Sequence, residues 1–176
     1  MTSPSILGSS TVLLVGKNDW VTRFTAALQK RTDVSVQHVR TKPEAIETVQ
    51  KRQIDCLITE YSLEETTGVD LLREVRKETT ALPVLLATAV GSEAIAAEAI
   101  EAGVTDYIAI TDPPAQVTNE LIERTERAIR SAQRSATQRE RARQFDAIFN
   151  DSRTATWVLD PDGALARVNN TAREMV

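Results

Sequence analysis

Short apolar runs alternate with helical stripes five times along the first two thirds of the chain. The runs are TVLLV (11–15), DVSVQHV (33–39), DCLIT (55–59), LPVLLAT (82–88) and DYIAI (106–110). Most are continuously apolar, as strands buried on both faces read. Between them, Val21, Phe24 and Leu28 fall on one helix face, and Val69, Leu72 and Val75 on another. Thr41 with Glu44 three residues later is a capping box, and Ser92 caps an alanine-rich helix that Gly103 stops. Pro83 is tolerated at the start of its strand. The pattern predicts an α/β fold: a five-stranded parallel sheet with helices on both faces. In such sheets chemistry gathers at the carboxyl ends of the strands. The segments to read are therefore Gly16–Asp19, Glu60–Thr66, Thr88–Val90 and Ile110–Pro114.

The pattern then changes. A polar helix is predicted over roughly 115–149, about 50 Å long at ~1.5 Å per residue. Its apolar positions, Leu121, Ile122 and Ile129, give way to alanine, serine and arginine, a weak seam for a coiled coil. Aromatics return in FDAIF (145–149), and TWVLDPDGALARVNN reads as strand, turn and strand. A lone hairpin is marginal in water. Residues 151–176 are thus expected to be disordered, or docked on a neighbour through Trp157 and Val158. Residues 1–10 read as a disordered lead-in.

Composition narrows the class. The 176 residues are 41% hydrophobic and 26% charged, ordinary for a soluble globular protein. No apolar run approaches the ~20 residues that span a bilayer, and the N-terminus lacks a signal-peptide pattern. The single cysteine, Cys56, allows no intrachain disulfide and fits a reducing cytoplasm. Residues 1–114 carry 16 acids against 11 bases, which argues against a nucleic-acid face. Residues 115–150 carry 7 bases and 5 acids, interleaved as on a solvated helix. Gly16–Lys17 lacks the spacer and second glycine of a P-loop. Cys56 reads as core, and His38 as structural.

The stretch DCLITEYSLEETTG (55–68) carries the chemistry. With VLLV before a loop, LPVLLATA and EAGVTDYI, it resembles the receiver domain of two-component response regulators, the CheY-like fold. The resemblance covers about residues 10–130 and implies a flavodoxin-like (βα)5 fold with strand order 2-1-3-4-5. The tail from FDAIF onward resembles the opening of a PAS domain. The domain reading is a lead-in (1–10), a receiver or pseudo-receiver (11–130), a linker helix (131–149) and a truncated PAS start (150–176).

The resemblance also implies a site. Two acids after the first strand and an acceptor aspartate after the third hold Mg²⁺. A lysine after the fifth strand neutralises the phosphoryl group, and a hydroxyl and an aromatic read it out. In this chain the acid pair falls on Gly16 and Lys17, the acceptor on Glu60, the lysine on Ile110 and the proline after it on Thr111. The readout positions survive as Thr88 and Tyr107. The expectations are no catalytic residues, lost Mg²⁺ binding and no cofactor. Glu60 would project outward as a fixed charge, with the Lys17 ammonium within about 4 Å of it.

The expected function is phosphorelay-family signalling by protein docking without phosphorylation. The partner would be a histidine kinase or another signalling protein, with no nucleic acid and no membrane span. The face of the fourth helix, fifth strand and fifth helix, with Ile95, Ala99, Ala109 and Ile110, is the candidate docking or homodimer surface; the linker helix is a second. The alternatives are a receiver that accepts phosphate from a partner kinase and a small-molecule sensor using the PAS region.

Overall fold

Five strands form where the apolar runs lie: β1 (Thr11–Val15), β2 (Ser35–Val39), β3 (Cys56–Glu60), β4 (Val84–Thr88) and β5 (Asp106–Ala109). All their pairings are parallel, in the order β2-β1-β3-β4-β5. This computed structural model describes residues 10–31, 34–89, 91–110 and 114–175. The lead-in up to residue 9, Val90 and Thr111 therefore lie outside the described residues.

The helices alternate with the strands: α1 (Asp19–Arg31), α2 (Lys42–Lys51), α3 (Gly68–Glu78), α4 (Glu93–Glu101) and α5 (Pro114–Asp151). Val12, Leu13, Leu14 and Val15 of β1 are all fully buried. Successive side chains point to opposite faces, so a continuous apolar run requires cover on both sides. Val12 and Leu14 pack with Phe24 and Leu28 of α1 and with Leu121 and Ile129 of α5. Leu13 and Val15 pack with Ala45 of α2 and Leu72 and Val75 of α3. Full burial of each such leucine or valine contributes about 1.5–3 kcal/mol.

The expected caps form. Thr41 and Glu44 make their capping box, and Ser92 Oγ accepts from the Ile95 amide at 3.2 Å. A second box caps α3: Thr67 Oγ1 accepts from the Asp70 amide, and Asp70 Oδ2 accepts from the Thr67 amide and hydroxyl. Arg76 of α3 donates to the carbonyls of Leu82 and Gly103, tying the loop before β4 to the turn after α4. Arg124 of α5 donates to Asp106 of β5 at 2.6 Å and to Glu120.

Contacts divide the chain into two units, Met1–Ala132 and Gln133–Val176. The second holds the end of α5, the antiparallel pair β6 (Trp157–Leu159) and β7 (Leu165–Val168), and α6 (Asn170–Arg173). The expectation for this hairpin is disorder or docking on a neighbour; in the structure its strands pair and their side chains meet the end of α5. The Arg167 guanidinium stands 5.2 Å from the Phe149 ring centre and 5.5 Å from that of Phe145, and pairs with Asp146 at 2.7 Å. Buried Asn169 accepts from the amides of Thr156 and Ala172 and donates to the Thr154 carbonyl. The aromatic positions of FDAIF thus support the strands instead of leaving them alone. Trp157 is 52% exposed. Among the described residues, no helix is long and apolar enough to cross a membrane.

Candidate functional site

The carboxyl ends of β1, β3, β4 and β5 bring Gly16, Glu60, Thr88 and Ile110 to one edge of the sheet, as the alternation of elements requires. Glu60 is the last residue of β3 and is only 2% exposed. Its carboxylate turns into the fold. Oε2 accepts the main-chain amide of Lys17 at 2.9 Å, while buried Oε1 has no partner among the described residues. This corrects two expectations. The charge does not project outward, and it is the Lys17 amide, not its ammonium, that meets Glu60. The Lys17 side chain is exposed and forms no ion pair with Glu60.

Gly16 makes this geometry possible. A Cβ there would stand 2.5 Å from Cγ, Cδ and Oε2 of Glu60, and its φ of +155° disfavours any side chain. The longer glutamate occupies space that only a glycine leaves. The Gly16–Lys17 peptide is held from both ends. Its carbonyl accepts from His38 Nε2 at 2.7 Å, and its N–H donates to Glu60. The reading of His38 as structural is refined to a specific contact. His38 lies opposite Leu14 in the β1–β2 register, which carries its ring toward the end of β1.

Gly68 explains the spacing from acid to glycine. A Cβ at Gly68 would collide with the Glu60 carbonyl and crowd Leu86, and the Gly68 amide donates to the Tyr61 carbonyl at 2.7 Å. The first turn of α3 therefore packs directly on the strand end.

Thr88 is buried at the end of β4, and both Thr88 and Glu60 line a small cavity with Asn18 and Trp20. Tyr107 packs in a third cluster with Val69, Leu86 and Ala99. Its hydroxyl is buried without a partner among the described residues, and Gly91 lies beside it. Ile110 is half-buried against the core cluster of α1 and α5 rather than standing free. Ala99 is fully buried and so contributes nothing to an α4 surface; its neighbour Ile100, not singled out in the sequence reading, is 70% exposed. Cys56 is buried as expected, and burial pushes its thiol pKa well up. Among the described residues, no three Asp, Glu, His or Cys side chains converge as a metal cluster.

Known proteins share this frame. The response regulator receiver domain model matches residues 12–122. Regulatory protein LuxO of Vibrio cholerae is 32% identical over 76 residues, which cover 43% of this chain and 17% of LuxO. Transcriptional regulatory protein ResD of Bacillus subtilis is 26% identical over 106 residues, covering 60% of this chain and 44% of ResD. The matches thus span less than half the length of these relatives. Among solved structures, the signal receiver domain of an HD domain-containing protein from Pseudomonas fluorescens Pf-5 superposes with a TM-score of 0.62 at 19% identity, over 71% of this chain and 98% of that one. A CheY-like receiver domain from Methanospirillum hungatei gives 0.60 at 15%, over 69% and 98%. At these identities the superpositions speak for the fold alone. Sequence model, strand order and site position agree: this chain belongs to the response regulator receiver domain family of two-component signal transduction.

Proposed function

We propose that this receiver signals by docking to a protein partner and does not take a phosphoryl group at Glu60. The observation that carries this reading is the inward Glu60 carboxylate, bound to the Lys17 amide and packed over Gly16. A phosphoacceptor oxygen must approach phosphorus in line, with a cation to neutralise the charge in flight. Here the acceptor is 2% exposed and one of its oxygens is already engaged. Magnesium requires near-octahedral oxygen ligation, normally from one or two carboxylates and several waters. Gly16 offers no side chain, and Lys17 brings a positive charge. The donor set does not fit the ion. Ile110 supplies no cation from the β5 side.

In this reading Glu60 is an internal structural carboxylate, and the output surface is fixed instead of switched. Ala109 of β5 and Ile100 of α4 are exposed apolar residues, and Ile100, at 70%, is the large one. The partner is a histidine kinase or another signalling protein. The second unit, with its hairpin, is read as the opening of a PAS domain.

The experiment uses Trp20, which lines the cavity beside Glu60. A Trp157→Phe variant isolates its fluorescence. Titration with Mg²⁺, then with beryllofluoride, should leave the emission flat, and incubation with acetyl phosphate should add no mass. A saturable quench in Mg²⁺ with a further change on beryllofluoride, or a phosphorylated species, would establish the phosphoaccepting reading instead.

A further inference from the structure

A larger cavity opens beside the site, between α1 and α5. Its volume is about 440 Å³, inside the range of about 300–1,000 Å³ found for small-molecule sites. Its apolar lining is Trp20, Phe24, Ile110, Val117 and Leu121. The Trp20 and Phe24 rings lie 6.4 Å apart, tilted by 52°, and form the floor of the cavity, only 9% and 1% exposed. Ile110 extends this lining and brings no charge.

Among the described residues, the rim is polar and carries one charge of each sign. Asp19 and Arg23 line the cavity one helical turn apart on α1, and both are exposed. An aspartate and an arginine at this spacing commonly pair with each other. These two form no ion pair with each other or with any other described residue. Phosphorylated ligands fit poorly, because among the described lining residues Arg23 is the one cation, set against Asp19 and the nearby Glu60. A simple carboxylate would meet Asp19 as a like charge. A ligand with both charges on one carbon and an apolar tail matches rim and lining together. Side chains one turn apart are separated by about 5–6 Å at Cβ, a gap that adjacent ammonium and carboxylate groups can bridge.

We propose that this cavity binds a free α-amino acid with a large apolar side chain, its carboxylate on Arg23, its ammonium on Asp19 and its side chain against Trp20 and Phe24. The site does not depend on the state of Glu60. It gives the receiver frame an input that needs no phosphate.

The test uses the full chain carrying Trp157→Phe, with Trp20 as reporter. L-leucine and L-phenylalanine are titrated, then isocaproate and isoamylamine, which each keep one of the two charges. At least one amino acid should shift Trp20 emission saturably, with a Kd below about 1 mM. Both single-charge analogues should bind at least about tenfold more weakly, as should either amino acid to Arg23→Gln or Asp19→Asn. Both substituted residues are exposed, so folding is preserved and circular dichroism verifies it. The proposal is overturned if no apolar amino acid gives a saturable response up to about 10 mM. It is equally overturned if the analogues bind as well as the amino acids, or if both variants bind unchanged. Saturation by an amphipathic helical peptide, with no response to amino acids, would assign the cavity to a protein partner instead.

Discussion

Gly16 and Glu60 share one volume: the carboxylate at the end of β3 lies where a side chain at the end of β1 would stand, 2.5 Å from an ideal Cβ. Each residue fixes what the other can be. A glutamate at 60 folds inward because position 16 is empty, and position 16 stays empty because the glutamate fills it. The pairing leaves no side chain at the end of β1 and withdraws the Glu60 carboxylate from solvent together.

Gly16→Ala should therefore destabilise the protein by about 1–3 kcal/mol, from overpacking and the disfavoured φ. Glu60→Ala in the same chain should relieve the steric part, giving a coupling of about 1 kcal/mol or more in a urea double-mutant cycle. Strictly additive effects would contradict the shared-volume account.

The phosphorylation chemistry should be recoverable. Gly16→Asp, Lys17→Asp, Glu60→Asp and Ile110→Lys combined restore two carboxylates, a shorter acceptor and a cation. The expected result is a saturable Mg²⁺ quench of Trp20 followed by a beryllofluoride response, neither of which the parent should show if the docking reading holds. A folded reconstruction that stays silent would place the loss in the frame and not in these four side chains.

Acid should weaken the start of α3. The Thr67 hydroxyl, donating to Asp70, holds its carboxyl below the usual carboxylate range. A depressed folded pKa means the contribution is complete above the unfolded value, about 3.9, and is lost as pH falls through the lower folded value. The urea midpoint difference between the native protein and Asp70→Asn should be constant near neutrality and shrink below about pH 4. A difference that widens on acidification would reverse the sign. Thr67→Ala should cost about 0.5–2 kcal/mol through the same cap.

Cys56 should resist alkylation in the folded state. Full burial, reinforced by the Asp55 charge, raises its thiol pKa and withholds the nucleophilic thiolate. Iodoacetamide labelling should follow unfolding in urea. Rapid labelling of the native protein would show that β3 opens locally.

Arg167→Ala should loosen the hairpin alone. The substitution removes a cation from the Phe145 and Phe149 rings and a partner from Asp146, together about 1 kcal/mol at an exposed site. Amide exchange at Val158 and Val168 should accelerate while Ile58 and Leu85 stay protected. Equal loss of protection at both would mean that the two units unfold together.

The sequence by itself determined the sheet and its cover. Runs such as TVLLV are apolar at every position, so they require burial on both faces, and the intervening stripes supply the helices. The box at Thr41 and Glu44 was legible because both partners lie within one turn. The identity of each residue at the strand ends was legible too, down to Gly16, Lys17, Glu60 and Ile110. The direction of the Glu60 carboxylate was not. It depends on a void 44 positions back in the chain, on an amide donated by the neighbouring loop, and on a histidine from a third strand. Local pattern carries no record of such contacts, because strand pairing alone brings them together. The same holds for Ala99 and Ile100: both are apolar on one helix, and only packing against Val69 and Leu86 decided which is core and which is surface. The cavity between α1 and α5 likewise exists only once two helices distant in sequence lie side by side. Periodicity decided which elements form; the tertiary structure decided which way their functional side chains face.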